Sequence, residues 1–343
     1  MNKSRLIRIG WTDLNSSYLE WILRDYFELE NYNIDSTYDK DCIFVISRKE
    51  FWHADIKKYL DLGCKFIFAN PWECIPYFDA NDFVPYLDNI LMILGSKNST
   101  IPQWNILNIP RWFWYNESLW YTCEAIMQFQ KYIPNRTNSK LFFMPINRSK
   151  PFRTQIVERF EKVLTNAIWS YAQKFNDGKH LDVRDNNPVA KISWDRQFEE
   201  TWYNDTFFTV VVETHVDTRL GNITSKNEGP CELFVTEKTF KPMAFQHPFI
   251  VCGMKGTLEF LKENGFETYN HIFDESYDQL DFFEDRLEIV YNNIVNFSKE
   301  KYLDPLTKEK IKHNYNRFYD RSAILAGVKQ DLIKPMLEWI DAK

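Results

Sequence analysis

Apolar residues in the first 130 positions form short continuous runs that alternate with runs of helical spacing. The short runs predict strands at Arg5–Trp11, Cys42–Ser47, Lys65–Ala69, Asn89–Leu94 and Asn105–Ile109. Spacing of three and four residues predicts amphipathic helices over Tyr18–Leu29 and Phe51–Leu62. Because strands that alternate with helices require crossover connections, we expect a parallel, doubly wound sheet.

A polar stretch from Pro134 to Lys140 interrupts this alternation and predicts a domain boundary. The alternation then restarts, with a helix predicted at Lys150–Leu164 and strands at Leu141–Ile146, Ala167–Ala172, Phe207–Thr214 and Pro248–Gly253. From Asp281 onward the pattern is charged and helical, with breaks expected at Pro305 and Pro335. We therefore predict an α/β fold with two Rossmann-like domains, residues 1–133 and 140–300, and a cleft between them. Residues 301–343 are predicted to be helices that pack back across the domains.

The amino-acid composition and net charge argue against several classes of protein. Of 343 residues, 44% are hydrophobic and 26% are charged, which excludes a disordered chain. The net charge of −6 argues against a protein that mainly grips nucleic-acid backbone without specificity, although it leaves room for a local basic groove. Only 10 residues are Gly, which argues against a glycine-rich phosphate loop, while aromatic residues reach 17%.

Cysteines and apolar segments indicate the compartment. The six cysteines are scattered without a C-x-x-C pair, so we interpret them as buried free thiols. Residues Met1–Thr12 include Arg5 and Arg8 and have no small-residue cleavage site, unlike a signal peptide. The apolar stretch Pro242–Met254 has 13 residues, too few to span a bilayer. We expect a soluble cytoplasmic protein without membrane insertion.

The segment with the clearest chemistry is Thr236–Pro242, followed by the predicted strand Pro248–Gly253. It places Lys238 and Lys241 at the start of a helix, where phosphate oxygens are favoured, and Glu237 beside them can accept hydrogen bonds from sugar hydroxyls. A nucleoside diphosphate that carries a sugar fits this combination. The alternative is an ordinary solvated first turn.

This segment, with Pro248–Val251, resembles the donor-binding region of fucosyltransferase-like and exostosin-like glycosyltransferases, which have two Rossmann domains (the GT-B fold). A closer resemblance is to glycosyltransferases of large tailed phages, which share the continuation seen here at Gly256–Leu261, Gly265–Thr268 and Asp274–Asp278. The sequence departs from the fucosyltransferase-like pattern at Met243–His247, where those enzymes have small residues and a Gly. The resemblance therefore leaves the identity of the transferred sugar open.

The resemblance covers residues 140–296 and implies a donor site for a nucleoside-diphosphate sugar, with no permanently bound cofactor. Glu237 would hold the ribose or sugar and Lys238 the diphosphate. Arg153, with Arg148 as a second candidate, would reach the phosphates, which a guanidinium fork suits. Glu213 matches an acidic position of the phage proteins, and either bonds the donor or has a structural role.

The resemblance also implies transfer of the sugar to an acceptor hydroxyl. Fixed cations stabilise the leaving diphosphate without a metal. No D-x-D triplet follows an apolar strand, which favours metal-independent transfer. An inverting enzyme needs a base from the N-terminal half. Asp13 and Glu73 are the candidates because each follows a predicted strand. A helix-capping Asp and a surface Glu are the structural alternatives.

Aromatic residues concentrate between Trp104 and Tyr121. We predict that Trp112 and Trp114, with Arg111, bind the acceptor by stacking, although helix packing explains them equally well. The phage resemblance favours a hydroxymethylated pyrimidine in double-stranded DNA as the acceptor, in the host cytoplasm. The alternatives are a glycan, lipid or protein acceptor, a sugar-nucleotide or glycan-binding protein without catalysis, and a nucleic-acid-binding module.

Overall fold

The computed structural model describes residues 6–10, 23, 28–31, 42–46, 55–70, 80–97, 104–120, 137–146, 149–171, 174–175, 200–217 and 233–342. By its internal contacts the chain divides into two compact units. Unit 1 comprises Met1–Asn116, Asn222–Phe234 and Arg321–Lys343, and unit 2 comprises Glu117–Gly221 and Val235–Asp320.

Eleven strands and eleven α-helices form the described part of the two units. The strands are β1 (Leu6–Gly10), β2 (Glu28–Asn31), β3 (Ile43–Ile46), β4 (Lys65–Asn70), β5 (Ile90–Leu94), β6 (Asn105–Asn108), β7 (Lys140–Pro145), β8 (Ala167–Tyr171), β9 (Lys174–Phe175), β10 (Thr206–Val212) and β11 (Phe249–Cys252). The helices are α1 (Asp55–Asp61), α2 (Trp112–Trp120), α3 (Pro151–Leu164), α4 (Glu200–Asn204), α5 (Glu237–Ala244), α6 (Thr257–Glu263), α7 (Phe283–Val295), α8 (Lys299–Tyr302), α9 (Pro305–Phe318), α10 (Arg321–Val328) and α11 (Lys334–Asp341). Short 3-10 helices span Ala80–Asn89 and Ser276–Gln279, and a π-helical turn spans Lys329–Ile333.

The sheet of unit 1 has six parallel strands in the order β2-β1-β3-β4-β5-β6. Ile7 of β1 lies opposite Leu29 of β2 and Ile43 of β3. The strand order reverses between β1 and β3, which makes that edge of the sheet the topological switch point of unit 1. Every residue of β5 is buried, as expected for a strand covered on both faces.

Aromatic side chains fill much of the core of unit 1. The Phe44 and Phe66 rings stack with centroids 4.8 Å apart on the neighbouring strands β3 and β4. Trp112 and Trp114 on α2 have 0% and 1% of their surface exposed. Every residue of α2 from Trp112 to Ser118 is buried, including the polar Asn116, Glu117 and Ser118, so α2 is a buried helix rather than a surface one.

The sheet of unit 2 runs in the order β11-β10-β7-β8-β9, with β9 antiparallel to β8 and the other pairs parallel. The strands that follow β7 lie on opposite sides of it, β8 on one and β10 on the other. The switch point of unit 2 is therefore between β7 and β10, the arrangement of a dinucleotide-binding Rossmann sheet. All seven residues of β10 are buried.

The residues Met243–His247 complete the packing of unit 2. The buried His247 ring exchanges hydrogen bonds with the Thr209 hydroxyl (Nδ1, 2.7 Å) and the Thr206 carbonyl oxygen (Nε2, 2.9 Å), both on β10. Phe245 packs against Tyr203 with ring centroids 4.6 Å apart. His247 thus fixes the end of α5 on β10 and Phe245 packs it against α4, and both side chains are larger than those the resemblance led us to expect.

The predicted α/β class with two Rossmann-like parallel sheets is confirmed. The predicted helix Tyr18–Leu29 is wrong at its end, because Glu28 and Leu29 begin β2, the strand at one edge of the sheet. The break at Pro335 is also wrong, since a π-helical turn precedes Pro335 and helical structure continues into α11. The domain boundaries and the cleft stay predictions.

Candidate functional site

Three segments of unit 2 come together at the switch point between β7 and β10. The first is the chain Glu213–His215, which leaves the carboxyl end of β10. The second is the start of α3, Lys150–Arg153, which follows β7. The third is the start of α5, Thr236–Lys238. Ligands of doubly wound sheets bind at this kind of edge, where connections leave in opposite directions.

The carboxylate of Glu213 holds the first and third segments together. It is completely buried, and one oxygen accepts the Thr236 N–H at 3.0 Å and the Thr239 hydroxyl at 2.6 Å. The other accepts the Thr236 hydroxyl at 2.5 Å and the Thr214 N–H at 3.1 Å. Four donors fill about the full acceptor capacity of a carboxylate. Glu213 therefore fixes where α5 begins.

Lys238 projects from the first turn of α5 back towards the end of β10. Its Nζ donates to the hydroxyls of Thr214 (3.2 Å) and Thr236 (3.3 Å) and forms an ion pair with Glu237. Burial alone would raise the pKa of the Glu237 carboxyl, but the charge and hydrogen bond of Lys238, together with nearby Lys241, outweigh burial and lower that pKa. Glu237 is therefore ionised at neutral pH and can accept hydrogen bonds from hydroxyl groups.

Two further cations reach the same segment from the start of α3. Arg153 is 5% exposed, and its Nη2 donates to the Glu213 carbonyl oxygen at 3.2 Å. Lys150 Nζ donates to the Thr214 carbonyl oxygen at 3.1 Å. Pro151 at the first helical position presets the backbone of this turn. Lys150, Arg153 and Lys238, named here the cation cluster, thus converge on two consecutive residues.

The pKa of His215 is affected by the positive charges of the cation cluster. Burial lowers the pKa of its imidazole to about 4, with further lowering by the charges of Lys150, Arg153 and Lys238. The imidazole is therefore neutral at pH 7. Sequence reasoning missed His215 and Lys150. The available signal was their place, since His215 directly follows the predicted strand Phe207–Thr214 and Lys150 is the first residue of the predicted helix that contains Arg153.

The cation cluster can bind an anion with several oxygens. Three cations from two helix starts face one segment, and the Arg153 guanidinium can bind two oxygens at once. Lysine ammonium groups act there as point charges. Such fixed charges stabilise negative charge as it develops on a leaving group, because they need no reorganisation.

The remaining predicted site residues lie apart from this cluster or outside the description. Lys241 lies in the last turn of α5 and acts on Glu237 through its charge. Asp13, Glu73 and Arg148 fall outside the described residues. The structure thus brings together Glu213, Glu237, Lys238 and Arg153 from the predicted set.

The predicted acceptor residues lie in unit 1. Trp112 and Trp114 are core side chains, and their rings would have to leave the core to stack on a ligand. Arg111 forms an ion pair with Asp331, to which the Tyr115 hydroxyl also donates at 2.8 Å. Binding of an acceptor by these residues stays a prediction.

The described residues contain no group of three or more His, Cys, Asp or Glu side chains placed to hold a metal ion. None of their helices is long and apolar enough to cross a membrane.

Comparisons with known proteins give structural similarity only. No protein-family model and no curated protein sequence matches the chain. A crystal structure of an α1,3-fucosyltransferase is similar with 12% identity and a TM-score of 0.48, covering 97% of this chain and 91% of that one. A crystal structure of an α1,3-fucosyltransferase with GDP has 12% identity, a TM-score of 0.35 and coverages of 95% and 94%. At such low identities and TM-scores, similarity assigns neither an activity nor residue roles to this chain.

Proposed function

We propose that the chain is a glycosyltransferase that takes a sugar from a nucleoside-diphosphate sugar and binds this donor in unit 2. The observation that carries the proposal is the convergence of Lys150, Arg153 and Lys238 on residues 213 and 214 at the switch point between β7 and β10. A diphosphate is the common ligand chemistry that matches a compact group of cations at this edge of a Rossmann-like sheet.

Each residue of the site then has a distinct task. Lys238 and Arg153 bind diphosphate oxygens, with Lys241 adding positive charge and Arg148 as a further candidate. Glu237 accepts hydrogen bonds from ribose or sugar hydroxyls. We assign Glu213 a positioning role rather than a donor contact, because four protein donors already occupy its carboxylate.

The chemical step follows from these charges. As the bond between the sugar and the diphosphate breaks, negative charge grows on the leaving phosphate oxygens, and the cation cluster stabilises it. Lysine and arginine supply this charge, so we propose metal-independent transfer. An acceptor hydroxyl attacks the anomeric carbon from the opposite face and loses its proton to a carboxylate, which gives inversion.

Strand order favours Asp13 over Glu73 as that base. Asp13 lies three positions after the end of β1, and β1 borders the switch point of unit 1. Glu73 follows β4, which lies inside a run of strands in simple sequence order. Side chains that act on ligands in doubly wound sheets concentrate at the switch point.

The acceptor belongs to one of two classes. The phage resemblance of the donor segment supports a hydroxymethylated pyrimidine in double-stranded DNA, which would have to leave the base stack to react. The net charge of −6 weakens DNA binding and supports a glycan, lipid or protein acceptor instead. Transfer of labelled sugar to hydroxymethylated DNA, compared with unmodified DNA, separates the two.

A thermal-shift screen tests the proposed function. The wild type and Lys238→Ala are heated with UDP-, GDP-, CMP- and dTDP-sugars, and Lys255→Ala, an exposed lysine outside the site, is the control. We expect at least one nucleoside-diphosphate sugar to stabilise the wild type and Lys255→Ala but not Lys238→Ala. Equal stabilisation of all three proteins would contradict the donor site. Binding without donor hydrolysis or transfer would identify a non-catalytic binding protein.

A further inference from the structure

Charged groups from α3, α5 and α7 lie around the segment that carries His215. The cations whose charges act on His215 are Lys150 and Arg153 at the start of α3 and Lys238 on α5, and Arg286 on α7 bonds the neighbouring Val216. The carboxylates are Glu213 and Asp217 on the same segment as His215, and Glu237 on α5, which is paired with Lys238.

The backbone on both sides of His215 is fixed. Before it, Thr214 accepts Lys150 at its carbonyl oxygen and Lys238 at its hydroxyl. After it, the Val216 carbonyl oxygen accepts a hydrogen bond from Nη2 of the buried Arg286 on α7. Arg286 is itself held by the carbonyl oxygens of Leu280 (2.7 Å) and Asp281 (2.9 Å). The backbone that carries His215 is therefore held beside the residues that the cation cluster contacts.

We propose that His215 is a further donor-binding residue that takes up a proton from solvent when the diphosphate of a nucleotide sugar enters the cation cluster. The imidazolium then donates an N–H to a phosphate oxygen and adds a positive charge to the site. The inference rests on the proposed function, since it concerns the same donor site.

The charges around His215 determine how the affinity for a nucleotide sugar depends on pH. In the free protein, burial and the cation cluster hold the pKa of His215 at about 4. The two negative charges of a diphosphate diester offset the cluster, so the imidazole pKa rises in the complex. A group whose pKa is higher in the complex binds a proton with the ligand, so affinity increases as pH falls from 8 to 5. Glu237, whose pKa is lowered, stays ionised over this range.

Calorimetric titration of the full chain with UDP-, GDP- and dTDP-sugars tests the inference. These diphosphate diesters do not ionise between pH 5 and 8, so the ligand adds no pH dependence of its own. Titrations in buffers of different ionisation enthalpy count the protons taken up. The variants are His215→Gln and, as a matched control, His271→Gln, since His271 also has a lowered pKa but bonds Thr307 away from the site.

We expect the wild type and His271→Gln to bind about tenfold more tightly at pH 5 than at pH 8, with proton uptake. His215→Gln should bind equally at both pH values without uptake. Uptake by His215→Gln equal to that of the wild type would overturn the inference and leave the proposed function standing. Failure of the wild type to bind any of these sugars would overturn both. If His215→Gln does not fold, histidine NMR of the wild type gives the imidazole pKa with and without the nucleotide sugar. A pKa of His215 that is unchanged at saturation with the sugar would also overturn the inference.

Discussion

The carboxylate of Glu213 accepts both the hydroxyl and the N–H of Thr236, at 2.5 Å and 3.0 Å, and so joins the end of β10 to the start of α5. The two residues are 23 positions apart in the chain. This junction also orients the side chain of Lys238, two residues after Thr236, because its Nζ donates hydrogen bonds to the hydroxyls of Thr214 and Thr236. The geometry of the proposed donor site therefore depends on a buried carboxylate that need not touch the donor.

Replacing Glu213 tests this junction. Glu213→Ala leaves the Thr236 N–H and two buried hydroxyls without their acceptor, so we expect the free energy of unfolding to fall by about 3 kcal/mol. Urea denaturation measures the change. Glu288→Gln removes an exposed carboxylate paired with Arg159 and should cost less than about 1 kcal/mol. Similar losses in the two variants would refute the role of Glu213.

Replacing Arg153 with lysine tests whether its planar guanidinium group binds the diphosphate. Arg153→Lys keeps the charge but removes the planar fork, so we expect nucleotide-sugar affinity to fall about tenfold while the protein stays folded. Calorimetric titration measures the affinity, and circular dichroism checks the fold. An unchanged dissociation constant would remove Arg153 from the donor site.

The lowered pKa of His215 also predicts acid sensitivity. The folded-state pKa of about 4 lies below the unfolded value, so the unfolded state binds more protons and stability falls as pH drops from about 6.5 towards 4. Between pH 7 and pH 5 the wild type should lose about 2 kcal/mol more stability than His215→Gln. Urea denaturation at the two pH values gives the difference, and parallel losses would contradict the assignment.

Gly327 tests the packing of α10 in unit 1. A Cβ at this position would overlap the hydroxyl of Tyr115 and lie 2.7 Å from its Cζ. Alanine normally favours a helix, but here we expect Gly327→Ala to cost about 1–3 kcal/mol of stability. Tyr115→Phe removes the overlapping oxygen, so the double variant should lose less than the sum of the single losses. Additive losses would show that the two residues do not meet.

The sequence predicts the sheets because continuous apolar runs mark strands that are buried on both faces. It fails at β2, whose four residues are mostly polar and whose first two belong to the predicted helical pattern Tyr18–Leu29. The start of α5 and its charges are also readable from local sequence. The contacts of these charged residues cannot be predicted from local sequence. Lys150, Arg153 and Lys238 come together only when β7 and β10 pair, and residues 150 and 238 are far apart in the chain. Likewise, no local pattern distinguishes a buried Trp112 from one that faces a ligand.

The central claim is that unit 2 binds the diphosphate of a nucleotide sugar through the cation cluster. Calorimetric titration of the wild type, Lys238→Ala and the exposed-lysine control Lys255→Ala, with the nucleotide sugar that most stabilises the wild type, tests it directly. We predict that Lys238→Ala weakens affinity about tenfold or more and that Lys255→Ala binds like the wild type. Equal affinities of Lys238→Ala and the wild type would contradict the claim.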